Sequence, residues 1–205
     1  LLTLRQEPLA IRLSLLSPTC LRVQFNPRPD AAITTGRSLA VVDRALGPVA
    51  ARIIENSPQR LRVEAGGLRL DVDLQAFGLR ILRGDQLICA DRPGRGLVFR
   101  PGQHGIASIK AQPPGALYCG FGEKTGAGLL KDGSAMTNFN FDNFIYARAP
   151  VPPGEEGGPL NGAEPLYASI PLLLEINTAP AGAWAGPPYC YGLFLDNLSQ
   201  SFFDI

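Results

Sequence analysis

The sequence predicts an all-β protein of antiparallel strands, with long loops and little helix. Apolar and polar residues alternate through the first half of the chain, which is the period of half-buried strands. Gly and Pro account for 23 and 19 of the 205 residues, so turns are frequent. No window has the sustained 3.6-residue period of an amphipathic helix, and residues 34–45 come nearest to it. Short strands joined by turn residues are typical of an antiparallel β-sandwich.

Two apolar alternations predict the first strands. One runs from Leu9 to Leu15 and the next from Leu21 to Phe25. The segment Asn26-Pro27-Arg28-Pro29-Asp30 follows the second run, and its prolines remove the backbone donors that a sheet would need. We therefore expect the second strand to end there.

The clearest hairpin turns at Gly66-Gly67, because two glycines accept the positive φ angles of a tight two-residue turn. Its alternation predicts a core face and a charged face on which opposite charges pair across strands. The core face consists of Leu61, Val63, Leu68, Leu70, Val72 and Leu74, and the charged face of Arg60, Arg62, Glu64, Arg69, Asp71 and Asp73. A second hairpin is predicted to turn at Arg83-Gly84-Asp85.

The rest of the chain predicts shorter strands around one long surface loop, which spans residues 147–164 and is rich in Pro and Gly. The strands are expected at Leu97–Arg100, Ile106–Ala111, Ser169–Ile176, Tyr189–Leu195 and Ser201–Ile205. We expect one domain over residues 1–205. Because Phe202–Ile205 stops in the middle of an apolar strand pattern, we also expect a piece of a longer protein.

Charge and hydropathy argue against two classes of partner. Lys and Arg number 19 against 18 Asp and Glu, a net charge of +1, and the arginines are scattered, so a nucleic-acid partner is not expected. A membrane span needs a run of about 18 apolar residues, and no apolar run in this chain approaches that length. No membrane partner is therefore expected either. No motif indicates a cofactor.

The four cysteines, Cys20, Cys89, Cys119 and Cys190, lie far apart without CxxC spacing. We expect buried free thiols rather than disulfides, and hence a cytoplasmic protein. Asn197-Leu198-Ser199 fits a glycosylation sequon, which we interpret as coincidence.

Two features that resemble catalytic motifs fail on spacing. The glycine-rich stretch Gly120–Gly126 lacks the Gly-Lys pair of a phosphate loop and is not followed by a helix, so we predict a tight glycine turn at a strand end. His104 is the single histidine, and the chain has no Gly-x-Ser-x-Gly elbow for a serine triad. We expect His104 in an exposed loop, and no metal site.

The segment Asn140-Phe141-Asp142-Asn143 is of a different kind. Its amide and carboxylate groups suit sugar hydroxyls, and the aromatic residues around it suit the apolar face of a pyranose ring. The alternative is an Asx-turn between two core aromatics. Residue types alone leave both interpretations open.

Four ordered blocks resemble the N-terminal β-sandwich of family-31 glycoside hydrolases, the α-glucosidase and α-xylosidase group. Tyr118–Gly126 resembles the family's Y-G-x-G-E-(R/K)-T-G segment, and Met136–Phe144 its M-W-N-x-D-x-(F) segment. Pro165–Pro171 is similar to P-L-Y-x-S-I-P, and Tyr191–Asp204 to the Y-G-(I/L)-F-L-D-N ending. The first half of the chain agrees only as a series of strands.

The resemblance implies a galactose-mutarotase-like supersandwich placed before a (β/α)₈ barrel. In the family the two carboxylates of retaining α-glycoside hydrolysis belong to the barrel, which is expected after residue 205, so no catalytic residue is expected in this chain. Asp142 matches a loop residue that hydrogen-bonds the α-linked oligosaccharide substrate, and Asn143 and Phe141 flank it. We assign Glu123 to turn structure.

Two rival functions remain. One is a free-standing carbohydrate-binding β-sandwich module that binds oligosaccharides alone. The other is a mutarotase-type epimerase, which needs a general acid and base such as His and Glu. The single histidine disfavours the epimerase.

Overall fold

The computed structural model describes residues 2–6, 9–26, 38, 40–41, 49–99, 105–124, 128–140, 167–197 and 199–205. Nearly all regular structure among them is β-strand, and the chain divides into two compact units. Unit 1 comprises residues 1–112 and 181–186, and unit 2 comprises residues 113–180 and 187–205.

Among its described residues, unit 1 contains ten strands in three antiparallel sheets, with the orders β1-β2-β3, β4-β5-β6-β7-β8 and β9-β10. A 3-10 turn at Gly182–Trp184 also belongs to this unit. The strands are β1 (Leu2–Gln6), β2 (Leu9–Ser17), β3 (Cys20–Asn26), β4 (Ala51–Asn56), β5 (Arg60–Ala65), β6 (Leu68–Asp73), β7 (Gly78–Arg83), β8 (Gln86–Ala90), β9 (Val98–Phe99) and β10 (Ile106–Ala107).

The predicted hairpin is confirmed as β5 and β6. Gly66 and Gly67 have φ angles of 59° and 86°, as a two-residue turn of this kind requires. Arg62 and Asp71 face each other across the strands, with Arg62 Nε 3.4 Å from the carboxylate. The second predicted hairpin is also confirmed, as β7 and β8.

The core of unit 1 lies between its two larger sheets. Ile11 and Leu13 of β2 pack in one cluster with the buried faces of β5, β6 and β7. Phe25 of β3 and Phe77 meet edge to face with ring centroids 5.9 Å apart, a favourable aromatic arrangement. Two antiparallel sheets packed face to face make this unit a β-sandwich.

Unit 2 pairs its strands in the orders β11-β13-β14 and β12-β15. The strands are β11 (Leu117–Gly122), β12 (Ala135–Asn138), β13 (Ser169–Asn177), β14 (Tyr189–Phe194) and β15 (Ser201–Asp204). A core joins the two sheets through Tyr118, Phe121, Met136, Leu173 and Phe203. The all-β antiparallel sandwich prediction is therefore confirmed.

The glycine-rich stretch differs from the prediction. Gly120 and Gly122 lie within β11 rather than in a turn after it, and the pairing with β13 shifts between them. A Cβ on Gly120 would lie 2.3 Å from the Leu172 carbonyl oxygen, and one on Gly122 would lie 2.2 Å from that of Ala168. Glycine is needed because the two backbones approach too closely for a side chain.

Other predictions have mixed outcomes. All four cysteines are free, but only Cys89 is buried, so the expected burial is wrong for Cys20 and Cys190. The predictions for His104, the long loop at 147–164 and most of residues 34–45 lie outside the described residues. The single domain over residues 1–205 stays a prediction.

Within the described chain, no helix has the length and hydropathy of a membrane span.

Candidate functional site

The predicted substrate-binding residues Phe141, Asp142 and Asn143 lie outside the described residues, within the gap 141–166. The structure describes both flanks of that gap, which end at Asn140 and begin again at Tyr167. Three of the four family-like sequence blocks meet at these flanks. The described part of the candidate site therefore consists of these two flanks.

The bulge in β11 places Glu123 beside the returning flank. The backbone N–H of Glu123 donates to the Ala168 carbonyl oxygen over 2.8 Å. The Ala168 N–H donates in turn to Glu123 Oε2 over 3.3 Å. This reciprocal pair holds the end of β11 against the residue that precedes β13, and it is a structural contact such as we expected for Glu123.

Lys124 links the departing flank to the returning one. Its ammonium group donates to the Thr137 carbonyl oxygen over 2.6 Å and to the Ser169 hydroxyl over 3.2 Å. Thr137 belongs to β12 and Ser169 opens β13. Because the donor is charged, these bonds are stronger than neutral ones.

Ser169 completes the connection. Its backbone N–H donates to Asn140 Oδ1 over 2.7 Å, and its hydroxyl donates to the Phe139 carbonyl oxygen over 3.3 Å. The residues before and after the gap are thus hydrogen-bonded to each other. We call these contacts the loop clamp; its members are Glu123, Lys124, Thr137, Phe139, Asn140, Ala168 and Ser169.

Aromatic side chains flank the loop clamp on both sides of the gap. Phe139 and Tyr167 are each about half exposed. Both flanks of the gap therefore present an exposed aromatic side chain.

A second polar cluster lies inside unit 2, around Glu175 on the central strand β13. Tyr118 on β11 and Tyr191 on β14 are its direct cross-strand neighbours. The carboxylate accepts hydrogen bonds of 3.0 Å from the hydroxyls of these two residues and from that of Tyr189. Only 1% of Glu175 is exposed.

Burial dominates the protonation of this cluster. It raises the pKa of Glu175 above its ordinary range, while the hydrogen bonds from Tyr189, Tyr191 and Tyr118 oppose part of the rise. Burial, followed by the adjacent Glu175 charge, also raises the pKa of Tyr118, so its hydroxyl stays a donor. A carboxyl group enclosed in this way is closed to substrate, and its role is to hold three strands together.

Other possible sites among the described residues lack the required chemistry. No group of three or more His, Cys, Asp or Glu side chains in the described ranges is placed to hold a metal ion. A depression of about 610 Å³ in unit 1 is lined by the turns and ends of β4, β5, β6 and β7, including Arg52, Glu64 and Asp85. None of the family-like blocks contributes to it.

Sequence reasoning missed the roles of Lys124, Ser169 and Glu175. Lys124 and Ser169 stand inside the family-like blocks, which was the available signal. Glu175 interrupts an otherwise apolar strand, and a charged group there signals a buried partner. Of the three tyrosines that meet it, Tyr118 lies 57 residues away in the sequence and Tyr189 and Tyr191 lie 14 and 16 residues away, so their identity needs the strand register.

The comparisons with known proteins agree with this geometry. Residues 10–204 match the model of the glycosyl hydrolase 31 N-terminal galactose mutarotase-like domain. The chain belongs to this family. No curated protein sequence matches it.

Several solved structures share the fold of this GH31 N-terminal domain. A Flavobacterium johnsoniae GH31 dextranase complexed with glucose matches 97% of the chain at 24% identity, with a TM-score of 0.67. A Gracilariopsis lemaneiformis α-1,4-glucan lyase matches 96% of the chain at 24% identity, with a TM-score of 0.66. A Xanthomonas citri GH31 α-xylosidase matches 86% of the chain at 13% identity, with a TM-score of 0.57.

The matched part is a small share of those proteins. This chain spans 21% of the dextranase, 22% of the lyase and 18% of the α-xylosidase. The likeness therefore concerns about a fifth of each longer chain.

We predict that Lys124→Met lowers the free energy of unfolding of the 205-residue chain by about 1–2 kcal/mol, because two hydrogen bonds from a charged donor are lost at a partly exposed site. Arg52→Met is the matched control. Arg52 makes a 2.6 Å ion pair with Glu64 at a largely exposed position, which contributes at most about 1 kcal/mol. Urea denaturation measures both, and a loss for Lys124→Met no larger than the control's contradicts a stabilising clamp.

We also predict that Glu175 makes stability depend on pH. Because its pKa is higher in the folded chain than in the unfolded one, its contribution is fully present below the unfolded pKa of about 4.3. That contribution is lost as pH rises through the folded pKa. Urea denaturation from about pH 4 to 8 should therefore show wild type losing stability relative to Glu175→Gln. Wild-type stability that stays constant or rises relative to Glu175→Gln as pH increases contradicts the raised pKa.

Proposed function

We propose that this chain is the non-catalytic N-terminal domain of a retaining α-glycoside hydrolase. In this proposal the domain packs on a (β/α)₈ barrel of the same polypeptide and supplies a loop that contacts the substrate. The observation that supports it most is the loop clamp. A chain of this family holds the two flanks of its Asp142-bearing segment together with a dedicated set of hydrogen bonds.

The proposed chemistry divides between the two domains. The barrel provides the nucleophile and the general acid of retaining hydrolysis, and this domain provides no catalytic group. Asp142 accepts hydrogen bonds from hydroxyls of the α-linked oligosaccharide, while Asn143 and Phe141 shape the wall of the same subsite. A carboxylate acceptor suits hydroxyl donors because charge-assisted hydrogen bonds are strong.

The loop clamp has a mechanical role in this proposal. Asp142 follows Asn140 by two residues, and the Asn140 side chain is tied to the start of β13. A binding group near a fixed anchor loses less conformational entropy when substrate arrives. In this proposal the clamp thereby lowers the entropic cost of binding substrate through Asp142.

The proposal also covers linkage and compartment. The α-linkage follows from the group of enzymes that the sequence blocks resemble, and the preferred sugar is left to assay. We place the parent enzyme in the cytoplasm, where free thiols persist in reduced form. Two of the four free cysteines are exposed, which suits a reducing compartment.

Asp142→Ala in the full-length parent enzyme tests the proposed role. We expect kcat/KM to fall by about 5- to 150-fold, which corresponds to about 1–3 kcal/mol for the lost hydrogen bonds to the transition state. Asp85→Ala is the control, because Asp85 is fully exposed in the β7–β8 turn of unit 1 and should leave kinetics unchanged. Equal kinetics for the two variants contradict the role of Asp142.

A titration of the 205-residue chain with maltose and isomaltose separates this function from a free-standing binding module. A domain that carries part of a subsite should bind both sugars weakly and hydrolyse neither. Tight binding by the chain alone supports the module, and turnover by a clean preparation contradicts the assignment of catalysis to a separate barrel.

A further inference from the structure

The three-stranded sheet β11-β13-β14 has an apolar outer face. Along β13, Leu173, Glu175 and Asn177 are buried on the inner side. The alternate residues point the other way, as the two-residue period of a strand requires. The outer set on the three strands is Leu117, Cys119, Ile170, Leu172, Leu174, Ile176, Cys190, Gly192 and Phe194.

The strand register arranges this set in rows. Leu117, Ile176 and Cys190 form one row across the sheet, and Cys119, Leu174 and Gly192 form the next. Leu172 and Phe194 form a third. A Cβ on Gly192 would meet the side chains of both Leu174 and Leu172 at 3.4 and 3.5 Å, so these leucines lie over the glycine. None of these nine residues has a charged or hydroxyl side chain.

In unit 1, the sheet face that is exposed to water carries charged side chains. The outer face of its five-stranded sheet carries cross-strand ion pairs, among them Arg62–Asp71 and Arg52–Glu64. None of the nine outer residues described in unit 2 is charged. Exposed apolar patches mark interaction sites.

Part of this outer face is open. Ile170 and Phe194 are 51% and 39% exposed and Cys190 is exposed, while Leu172, Leu174 and Ile176 are partly buried. We define the apolar face as the nine residues given above.

We propose that the apolar face docks on the catalytic part of the same polypeptide, through an apolar surface of that part. This inference rests on the proposed function and deepens it by naming the face. The chain spans only about a fifth of the length of its structural neighbours, 21% of the dextranase, so a covering partner of the same polypeptide is available in proteins of this family.

The position of the apolar face favours that occupant over others. Ile170 directly follows Ser169, the residue that ties the two flanks of the Asp142 segment together. A partner seated on the face therefore lies beside the loop clamp. In this proposal the face and the Asp142 segment contact the same partner, which is the domain that holds the substrate.

Two native cysteines make the test direct. Cys190 lies on the apolar face, whereas Cys20 is exposed at the start of β3 in unit 1. The 205-residue chain and the full-length parent are labelled with N-ethylmaleimide under native conditions, and the labelled peptides are quantified by mass spectrometry. We expect Cys190 to react measurably in the isolated chain, where burial raises the pKa of its thiol, and at least about tenfold more slowly in the parent, as a group that reacts only through local opening does. Cys20 should react alike in both.

Three labelling results overturn the proposal. Equal reactivity of Cys190 in both proteins means that the catalytic part does not cover the face. Complete protection of Cys190 in the isolated chain means that the chain itself covers the face in dilute solution. Protection that grows with protein concentration means that a second copy covers it. A parent that hydrolyses α-glycosides while Cys190 stays reactive removes this inference alone, whereas the absence of any longer parent removes the proposed function.

A pair of variants checks the face independently of the thiol. Phe194→Glu should leave the thermal unfolding of the isolated chain nearly unchanged, but it should make the parent cleavable between its domains by a low concentration of protease. Ile53→Glu is the control, because Ile53 is 56% exposed in unit 1 and should have neither effect. Unfolding of the isolated chain by Phe194→Glu, or an uncleaved parent, contradicts docking through this face.

Discussion

The hydrogen bonds that Lys124 and Ser169 make are the constraint on which the candidate site depends. They hold together the flanks of a 26-residue segment, 141–166. Bringing the ends of such a segment together costs about 3 kcal/mol of chain entropy. Neutral hydrogen bonds contribute about 0.5–1.5 kcal/mol each and bonds from a charged donor about 1.5–3. The free energy of the hydrogen bonds in the loop clamp is therefore comparable to the entropic cost of closing the segment. Losing the charged member, Lys124, removes a large share of that free energy.

The loop clamp depends in turn on the geometry of β11. Phe121 has a positive φ of 67° between two glycines that also have positive φ, and its buried ring packs edge to face on Phe203 at 5.1 Å. The core holds the strained residue in place, and the shifted register brings Glu123 and Lys124 to the flanks. The glycine-rich block that resembles a nucleotide loop is thus a device for positioning side chains. Glu175, bonded to both neighbouring strands, fixes the sheet from which this device starts.

The sequence predicted local features well and long-range ones poorly. The β5–β6 hairpin followed from Gly66-Gly67 and a two-residue alternation, because both signals are local. The contact of Lys124 with Thr137 and Ser169 requires a register shift between Gly120 and Gly122, which no periodicity reveals. The tyrosines around Glu175 likewise meet only through the pairing of β11 and β14 with β13. Burial of Cys20 and Cys190 was wrongly expected, because the side of a strand that a thiol occupies also depends on register.

The most direct test of the account is the mass of the native polypeptide that contains this sequence, measured by immunoblot and mass spectrometry in its source cells. The account predicts a species far larger than the 21.9 kDa of this chain, since a barrel adds about 250 residues. That species should hydrolyse α-glucosides or α-xylosides. A native species near 21.9 kDa would contradict the account, because the Asp142 segment and the apolar face would then have no catalytic partner in the same polypeptide.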